Sequence, residues 1–575
     1  MSGPGTGQQT QSSIVETITT VIISFTLAFV ARGFVIEAFV IPTGSMAPTL
    51  LGAHARLENP NSGAEWTVSP RPDDYPDRFN RMVANPTMPN LQVTDPLTRE
   101  PLRFGSAPTR SGDRIFVLKY LPGVYGPERY DSVVFRYPVD PAQNFIKRLI
   151  GLPNEEIALV DGEVFSRPAS KAMPGSPSDW NGEGWAITRK PERIQRSVWQ
   201  PVFDSAHTPR RASRDGVRWF RSPWLPSIAP EAPVIPTDPV PTGTPTSTGD
   251  WTIDDRAVYE LKSAGPATLT WNSAEWPIND SLAYNETERS PFGPFPTADM
   301  RVRMSIVPEK TPVGLEFLLE GLGHQFRAVV DPQSRSARLE MRPAAKDSAW
   351  VKLGEGSIPG GSLTPGRAST LEFWHADQAL WLFVDGSRVA RGEYDWNPAT
   401  RISSAMGISL AEILQRDLVS DGVQTVPIKG KFPPGDTILG VADRYRPSGV
   451  RLTFTGGPAK ITRLALDRDL FYRPGSYLPD PSNPRRGQPL LGAHPSQPLV
   501  LSPTQYFLCG DNSANSDDGR SWRPPEPWVA KEIDATQGIV PRELLAGKAF
   551  VVYFPAPDWS RRVPIPDFGH MRWIW

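Results

Sequence analysis

Two residues in this 575-residue chain stand in surroundings that could make them a nucleophile and its base. Ser45 lies in I-P-T-G-S-M-A-P-T-L-L (41–51), between Gly44 and Met46, with Pro42 and Pro48 flanking it. Proline fixes φ and lacks an N–H, so this stretch cannot extend a helix and makes a poor central strand. A serine held there is a candidate nucleophile, although serines in Gly/Pro turns often do nothing but turn the chain. Lys147 lies among Phe145, Ile146, Leu149 and Ile150. An unperturbed lysine is neutral in only about 4 molecules per 10,000 at pH 7, and only the neutral amine accepts a proton. Burial disfavours the ammonium and is the route to a lysine base. Strand alternation lets Lys147 face either the core or solvent.

Other chemistries have less to draw on. A single cysteine, Cys509, rules out an internal disulfide and a Cys-based zinc site, and reads as small core filler. The six histidines are scattered without an H-E-x-x-H, and none sits in a motif comparable to that of Ser45. No metal or cofactor is expected. A net charge of −1 gives no basic footprint, which argues against a nucleic-acid partner.

The elements that must position Ser45 and Lys147 begin at the N-terminus. Residues 17–31 are uncharged and largely apolar, and residues 14–40 are expected to form one transmembrane anchor, with Arg32 snorkelling to the interface. A cleaved signal peptide is disfavoured because residues 1–31 hold no Lys or Arg and no A-x-A site follows. Charge alone does not orient the anchor.

Residues 52–110 are polar and Pro-rich, and are expected to be an irregular insert. Asn59-Pro60-Asn61-Ser62-Gly63 and Asn85-Pro86-Thr87-Met88-Pro89 read as Asn-Pro turns; the alternative is a pair of C-P-x-C zinc knuckles whose cysteines have been replaced. Strand composition returns at 113–120, 131–137 and 144–153, followed by 156–165 with an Asp161-Gly162 hairpin. Residues 166–250 are Trp- and Pro-rich, with a short helix expected near 191–202 and a linker at 223–248. From 251 to 475 many short strands imply a β-sandwich. The hairpin L-W-L-F-V-D-G-S-R-V-A (380–390) and the I-T-R-L-A-L-D strand (461–467) resemble a laminin-G or concanavalin-like jelly roll. A spacer or interaction module is expected, with carbohydrate or other surface contact open to it. The strand Q-Y-F-L-C (505–509) then enters a Gly/Asn/Asp/Ser-dense loop, G-D-N-S-A-N-S-D-D-G-R (510–520).

Together these stretches resemble the bacterial type I (leader) signal peptidases, membrane serine proteases with a Ser/Lys dyad. I-P-T-G-S-M-A-P-T-L is similar to the nucleophile box, G-D-R-I-F-V with D-S-V-V-F to the next, F-I-K-R-L-I-G-L-P-N-E to the lysine box, and G-D-N-S-A-N-S-D-D-G-R to the last. The departures are Thr43 and Gly519, where many members carry serine, and the large inserts. The resemblance implies Ser45 as nucleophile and Lys147 as general base, with Ser516 orienting the lysine. It implies an oxyanion hole from the Ser45 N–H and the Thr43 hydroxyl. Gly510, Asp511 and Asn512 would support the site, an Asp518–Arg520 pair would brace the loop, and Met46 would pack at the membrane-side rim.

The fold implied is mainly β: a transmembrane helix, a β-barrel or antiparallel-sheet catalytic core (41–51, 111–165 and 476–575) and the inserted sandwich. Residues 1–13 would be a tail. The implied partners are exported preproteins with small residues at −1 and −3, and the lipid bilayer. The implied location is the cytoplasmic (inner) membrane, single-pass, with the catalytic domain outside. An anchored binding protein with an inert core, and a Ser/Lys peptidase acting on itself or on repressors, are the competing readings. On this reading, removing 251–472 should leave cleavage of a short peptide largely intact.

Overall fold

The computed structural model describes residues 7–70, 87–121, 125–211, 213–214, 217–227, 250–253, 258–263, 265–287, 293–345, 347–420, 437–477, 485, 487–556 and 568–574. Asn85, Pro86 and most of the expected linker (228–249) lie outside them.

The helix Gly7–Val30 passes into a π-helical turn, Ala31–Val35. Within it Val15–Val35, 21 residues, is long and apolar enough to cross a membrane, and none of it is buried against the rest of the chain. The anchor ends sooner than expected. Ile36–Val40 is a strand, paired antiparallel with Arg114–Lys119. Its β-branched and aromatic residues satisfy their backbone groups in the sheet instead of extending the helix.

That strand opens an antiparallel sheet whose order continues through Arg114–Lys119, Leu545–Phe554, Ser132–Tyr137, Asp140–Gly151, Gln505–Cys509 and Val540–Pro541. Arg572–Trp573 adds to Leu545–Phe554. The sheet does not close into a barrel, because Ile36–Val40 and Val540–Pro541 remain end strands. Beside it Ala186–Ile187, Glu163–Pro168, Glu155–Val160 and Leu499–Val500 form a smaller sheet. Its central hairpin turns at Asp161 (φ 51°) and Gly162 (φ 82°), the two left-handed residues that a tight hairpin requires.

Residues 52–110 correct the expectation of irregularity. His54–Glu58, Glu65–Val68, Thr87–Thr94 and Pro101–Arg110 form a four-stranded sheet over Ala55, Leu57, Trp66, Val68, Met88, Leu91 and Val93. Each strand buries only one to three apolar side chains, so the alternation is easily lost among polar neighbours. Asn59–Gly63 is the turn of the first hairpin, and its facing turn is Asp95–Glu100; of the second expected turn, Thr87–Pro89 belongs to a strand and Asn85 and Pro86 lie outside the described residues. Asn59 Nδ2 donates to Asp95 Oδ2 (2.5 Å) and Glu100 Oε2 (3.0 Å), joining the two turns by hydrogen bonds.

The sandwich has an eight-stranded and a seven-stranded sheet around one apolar core rich in tryptophan. It starts earlier than residue 251. Gln200–Asp204 pairs with Ala459–Arg468, and Trp224–Ser227 pairs with Ala267–Trp271, so part of the expected linker is sheet. The helix Glu192–Val198 precedes them. Two helices the strand pattern does not announce, Pro398–Met406 and Leu410–Ser420, pack between the sandwich and the smaller sheet.

Candidate active site

The turn that carries Ser45 is clamped at both ends. The Ile41 N–H donates to Asp113 O (2.9 Å) and the Leu51 N–H to Asp113 Oδ2 (3.1 Å), so both ends of the stretch close on one residue. Gly112 permits this approach; a Cβ there would lie 1.7 Å from Ile41 O. Met46 and Leu50 are fully buried among Ile41, Ile115, Val134 and Ile146, so Met46 anchors the turn in the core instead of sitting at a rim. Ser45 is 9% exposed. Thr43 is exposed two residues before it.

Lys147 comes from the neighbouring side. Its strand, Asp140–Gly151, pairs with Ser132–Tyr137, placing Lys147 opposite Val133 with only 3% of its surface exposed. Its Nζ donates to Ser45 Oγ at 2.5 Å, joining residues 102 positions apart, and lies 5.5 Å from the centre of the Phe145 ring. Burial pushes its pKa down to about 8, against the opposing pull of Asp518 and then Asp517. Neither carboxylate is bonded to the ammonium. Asp518 accepts from Arg520 Nε (2.8 Å), Arg520 Nη2 (2.7 Å) and the Gly510 N–H (3.0 Å). Burial opposes its ionisation, yet the Arg520 guanidinium holds its carboxyl below the ordinary range. Asp517 accepts from Tyr137 and Ser521, both at 3.3 Å.

The loop 510–520 ties the two halves together. Asp511 receives Arg148 Nε (2.7 Å) and Nη2 (2.6 Å) in a fully buried pair, and Thr49 Oγ1 donates to the same carboxylate (2.5 Å). The residue after Lys147 and a residue of the Ser45 turn thus share one anchor. The motifs contain Arg148 and Thr49, but give no sign of this role. Asn512 holds the turn directly: its N–H donates to Ser45 O (3.0 Å) and its Nδ2 to Gly44 O (3.1 Å). At Gly510 a Cβ would lie 2.4 Å from Ser45 O and 2.2 Å from Ser516 Oγ, so only glycine lets the loop approach the serine. Gly519 is equally constrained, with Gly538 O 2.5 Å from where its Cβ would be; the serine that many signal peptidases carry would not fit here.

Ser516 departs from its expected role. Its Oγ is shielded from solvent and has no hydrogen-bond partner among the described residues, so the bond to Lys147 is not made in this arrangement. The hydroxyl packs against Gly510 instead, which holds it on the Ser45 side of the loop.

Two further residues come from beyond the expected catalytic segments. The turn Ala283–Asn285, from the inserted region, lies on the nucleophile stretch. The Tyr284 ring covers Gly44, where a Cβ would sit 2.0 Å from Tyr284 Cε1, and its hydroxyl donates to Ala53 O (2.9 Å). Asn285 and Asn512 pair through both amides, each bond 2.7 Å. Nothing in the sequence S-L-A-Y-N-E-T marks it for this position. The span 251–472, whose removal is expected to leave cleavage of a short peptide largely intact, thus contains two residues packed on the Ser45 turn.

Among the described residues, the carboxylates of Glu163, Asp299, Asp377 and Asp469 converge closely enough to suggest a cation. The positive charge there is supplied by side chains: Lys190 reaches Asp377 and Asp469, and Arg401 reaches Asp299.

Comparison with known proteins agrees with this geometry. The family model for signal peptidase, peptidase S26, matches residues 105–174 and 480–554, which hold Lys147 and the 510–520 loop but not Ser45. Signal peptidase I of Pseudomonas aeruginosa is 32% identical over 77 residues, 13% of this chain and 25% of that protein. Signal peptidase I of Rickettsia typhi is 30% identical over 139 residues, 24% of this chain and 38% of that protein. The chain thus spans well under half the length of these relatives. Among solved structures, the carbohydrate binding module CBM66 from Bacillus subtilis is 10% identical, with a TM-score of 0.20, over 38% of this chain and 92% of that one. So low a score carries no argument about the sandwich. Residues 105–174 and 480–554, separated by the inserted region, are thus similar to the peptidase S26 signal peptidases.

Proposed function

We propose that this protein is a membrane-anchored serine endopeptidase that removes signal peptides from exported preproteins. The observation that carries the reading is the contact between Lys147 Nζ and Ser45 Oγ in surroundings dry enough to lower the lysine pKa to about 8, which leaves a working fraction of neutral amine at physiological pH. The peptidase S26 match and the signal peptidase I relatives support the substrate class.

In the mechanism, neutral Lys147 takes the Ser45 proton as Oγ attacks the scissile carbonyl carbon. The oxyanion is met by the Ser45 N–H and the Thr43 hydroxyl; in other serine proteases one such donor is worth roughly 10²–10³ in rate. As the C–N bond breaks, the Lys147 ammonium gives its proton to the leaving amine. Water then loses a proton to Lys147 and attacks the acyl ester, releasing the new carboxylate and restoring Ser45. Ser516 would orient the lysine through a hydrogen bond to Nζ, for which its hydroxyl, without a partner among the described residues, remains available.

The substrate lies extended against exposed strand edges beside the dyad, of which Ile36–Val40 offers one, with small residues at −3 and −1. The same strand joins the membrane helix to the Ser45 turn, so a signal peptide held in the bilayer presents its cleavage site within reach. The helix would place the N-terminus in the cytoplasm and the catalytic domain on the outer face of the inner membrane. The test is cleavage of a preprotein with an A-x-A site by membranes carrying the full chain. Ser45→Ala and Lys147→Arg should each abolish it, the second because arginine does not deprotonate. Substantial turnover by either variant would overturn the reading.

A further inference from the structure

The peptide bond between Gly44 and Ser45 carries two groups that cannot move independently. It is planar and trans, so the Gly44 carbonyl and the Ser45 N–H point to opposite sides of one rigid plate. Fixing the carbonyl therefore aims the N–H. Two donors hold the Gly44 carbonyl: the Ala47 N–H at 3.0 Å and Asn512 Nδ2 at 3.1 Å. Asn512 is 97% buried, and its amide is set in turn by the reciprocal pair with Asn285.

We infer that the inserted region completes the catalytic site, with Asn285 as a positioning residue that aims the Ser45 N–H at the substrate oxyanion through Asn512 and the Gly44 carbonyl. This rests on the reading of Ser45 as nucleophile. The turn that carries Asn285 is built for the purpose at both ends. The Ser69 N–H, directly after the strand Glu65–Val68 of the small four-stranded sheet, donates to Tyr284 O (2.8 Å), and Tyr284 reaches Ala53. At its base Asp280 is paired with Arg473 Nη2 (2.9 Å), while the Arg473 N–H donates to Ser513 Oγ (2.8 Å) in the 510–520 loop. Both inserts therefore meet at Tyr284, whose ring covers Gly44. Asn285 touches neither Lys147 nor the substrate edge, so its influence should fall on stabilisation of the tetrahedral intermediate, not on proton transfer or ground-state binding.

The experiment compares the full-length wild type, Asn285→Ala, Asn512→Ala, the double variant and Ser45→Ala on a short peptide with an A-x-A site. A peptide aldehyde of the same sequence, which forms a hemiacetal with the serine, serves as the probe of the oxyanion site. Asn285→Ala should lower kcat about tenfold or more, with KM changed less than about twofold. Aldehyde affinity should fall by a similar factor, the pH inflection of kcat should stay in place, and the double variant should be little worse than Asn512→Ala. Should Asn285→Ala fail to fold, Asn285→Asp is read the same way, since it keeps the acceptor for Asn512 and loses the donor. Wild-type kcat and aldehyde affinity in the Asn285 variant, a loss confined to KM, or full additivity with Asn512→Ala would overturn the inference. Cleavage by Ser45→Ala, or none by wild type, would instead overturn the nucleophile assignment, and the inference with it.

Discussion

Lys147 beside Ser45 and Lys190 at the junction with the sandwich are 3% and 8% exposed, and burial presses both pKa values downward. They end on opposite sides of the ordinary lysine value. Around Lys190, Asp377, Asp469 and Glu163 outweigh the loss of water and carry its pKa well above that value. Its Nζ bonds directly to Asp377 and lies 3.1 Å from Asp469 Oδ2. Around Lys147 the carboxylates are engaged elsewhere, Asp518 by Arg520 and Asp517 by Tyr137 and Ser521, and the ammonium faces a hydroxyl. Burial alone does not make a lysine a base. Burial without a carboxylate in contact does, and here the protein withholds that carboxylate by giving Asp518 its own arginine.

The largest effect that would break this comparison is chemical. Lys147→Arg keeps the charge but cannot release it, and cleavage should fall on the order of 10⁴-fold or more, as for loss of the base in other serine proteases. Lys190→Met should be the mirror image: turnover per folded molecule persists while stability drops by roughly 3–5 kcal/mol, because Asp377 and Asp469 are left buried without their cation. Thermal unfolding measured beside single-turnover cleavage separates the two outcomes.

A smaller effect sharpens the account of Lys147. Because the base must be neutral, kcat/KM should climb about tenfold per pH unit on the acid side and level off above about 8. Asp517 favours the ammonium, so Asp517→Asn should move that inflection to lower pH; a shift upward would contradict the assignment of charges.

The smallest effect concerns stability. Lys147 binds its proton less tightly in the folded chain, so between pH 8 and 10.5 the unfolded chain holds more protons and stability rises with pH. Below that window the buried ammonium is a cost. Lys147→Met should therefore raise stability at pH 7 by an amount on the order of 1–3 kcal/mol, with the gain shrinking above pH 8. Denaturant melts at pH 7 and pH 10 would show it.

What the sequence disclosed follows the range over which each signal acts. The Ser45 turn was legible because Pro42, Gly44 and Pro48 act on their own neighbours, and the hairpins at Asp161-Gly162 and Asp385-Gly386 for the same reason. The side to which Lys147 points was not, because alternation permits either face until the strand Gln505–Cys509 and its loop arrive from far along the chain. The bracing of Asp511 by Arg148 and Thr49, and of Asn512 by Asn285, joins positions hundreds of residues apart, for which local composition has no mark. Residues 52–110 concealed a sheet because prolines and polar residues occupy most of its outward positions. The open form of the catalytic sheet depends on which end strands find partners, a property of assembly that no single strand carries.

The central claim is that Lys147 reaches neutrality in the folded protein near physiological pH, and the most direct measurement is its own titration. Carbon-13 NMR of ε-labelled lysines in the full-length protein, with the Lys147 signal assigned by its loss in Lys147→Arg, should show one resonance moving with a midpoint near 8. A midpoint at or above the ordinary lysine value of about 10.4 would contradict the account, because the amine beside Ser45 would then be charged whenever the enzyme is asked to work.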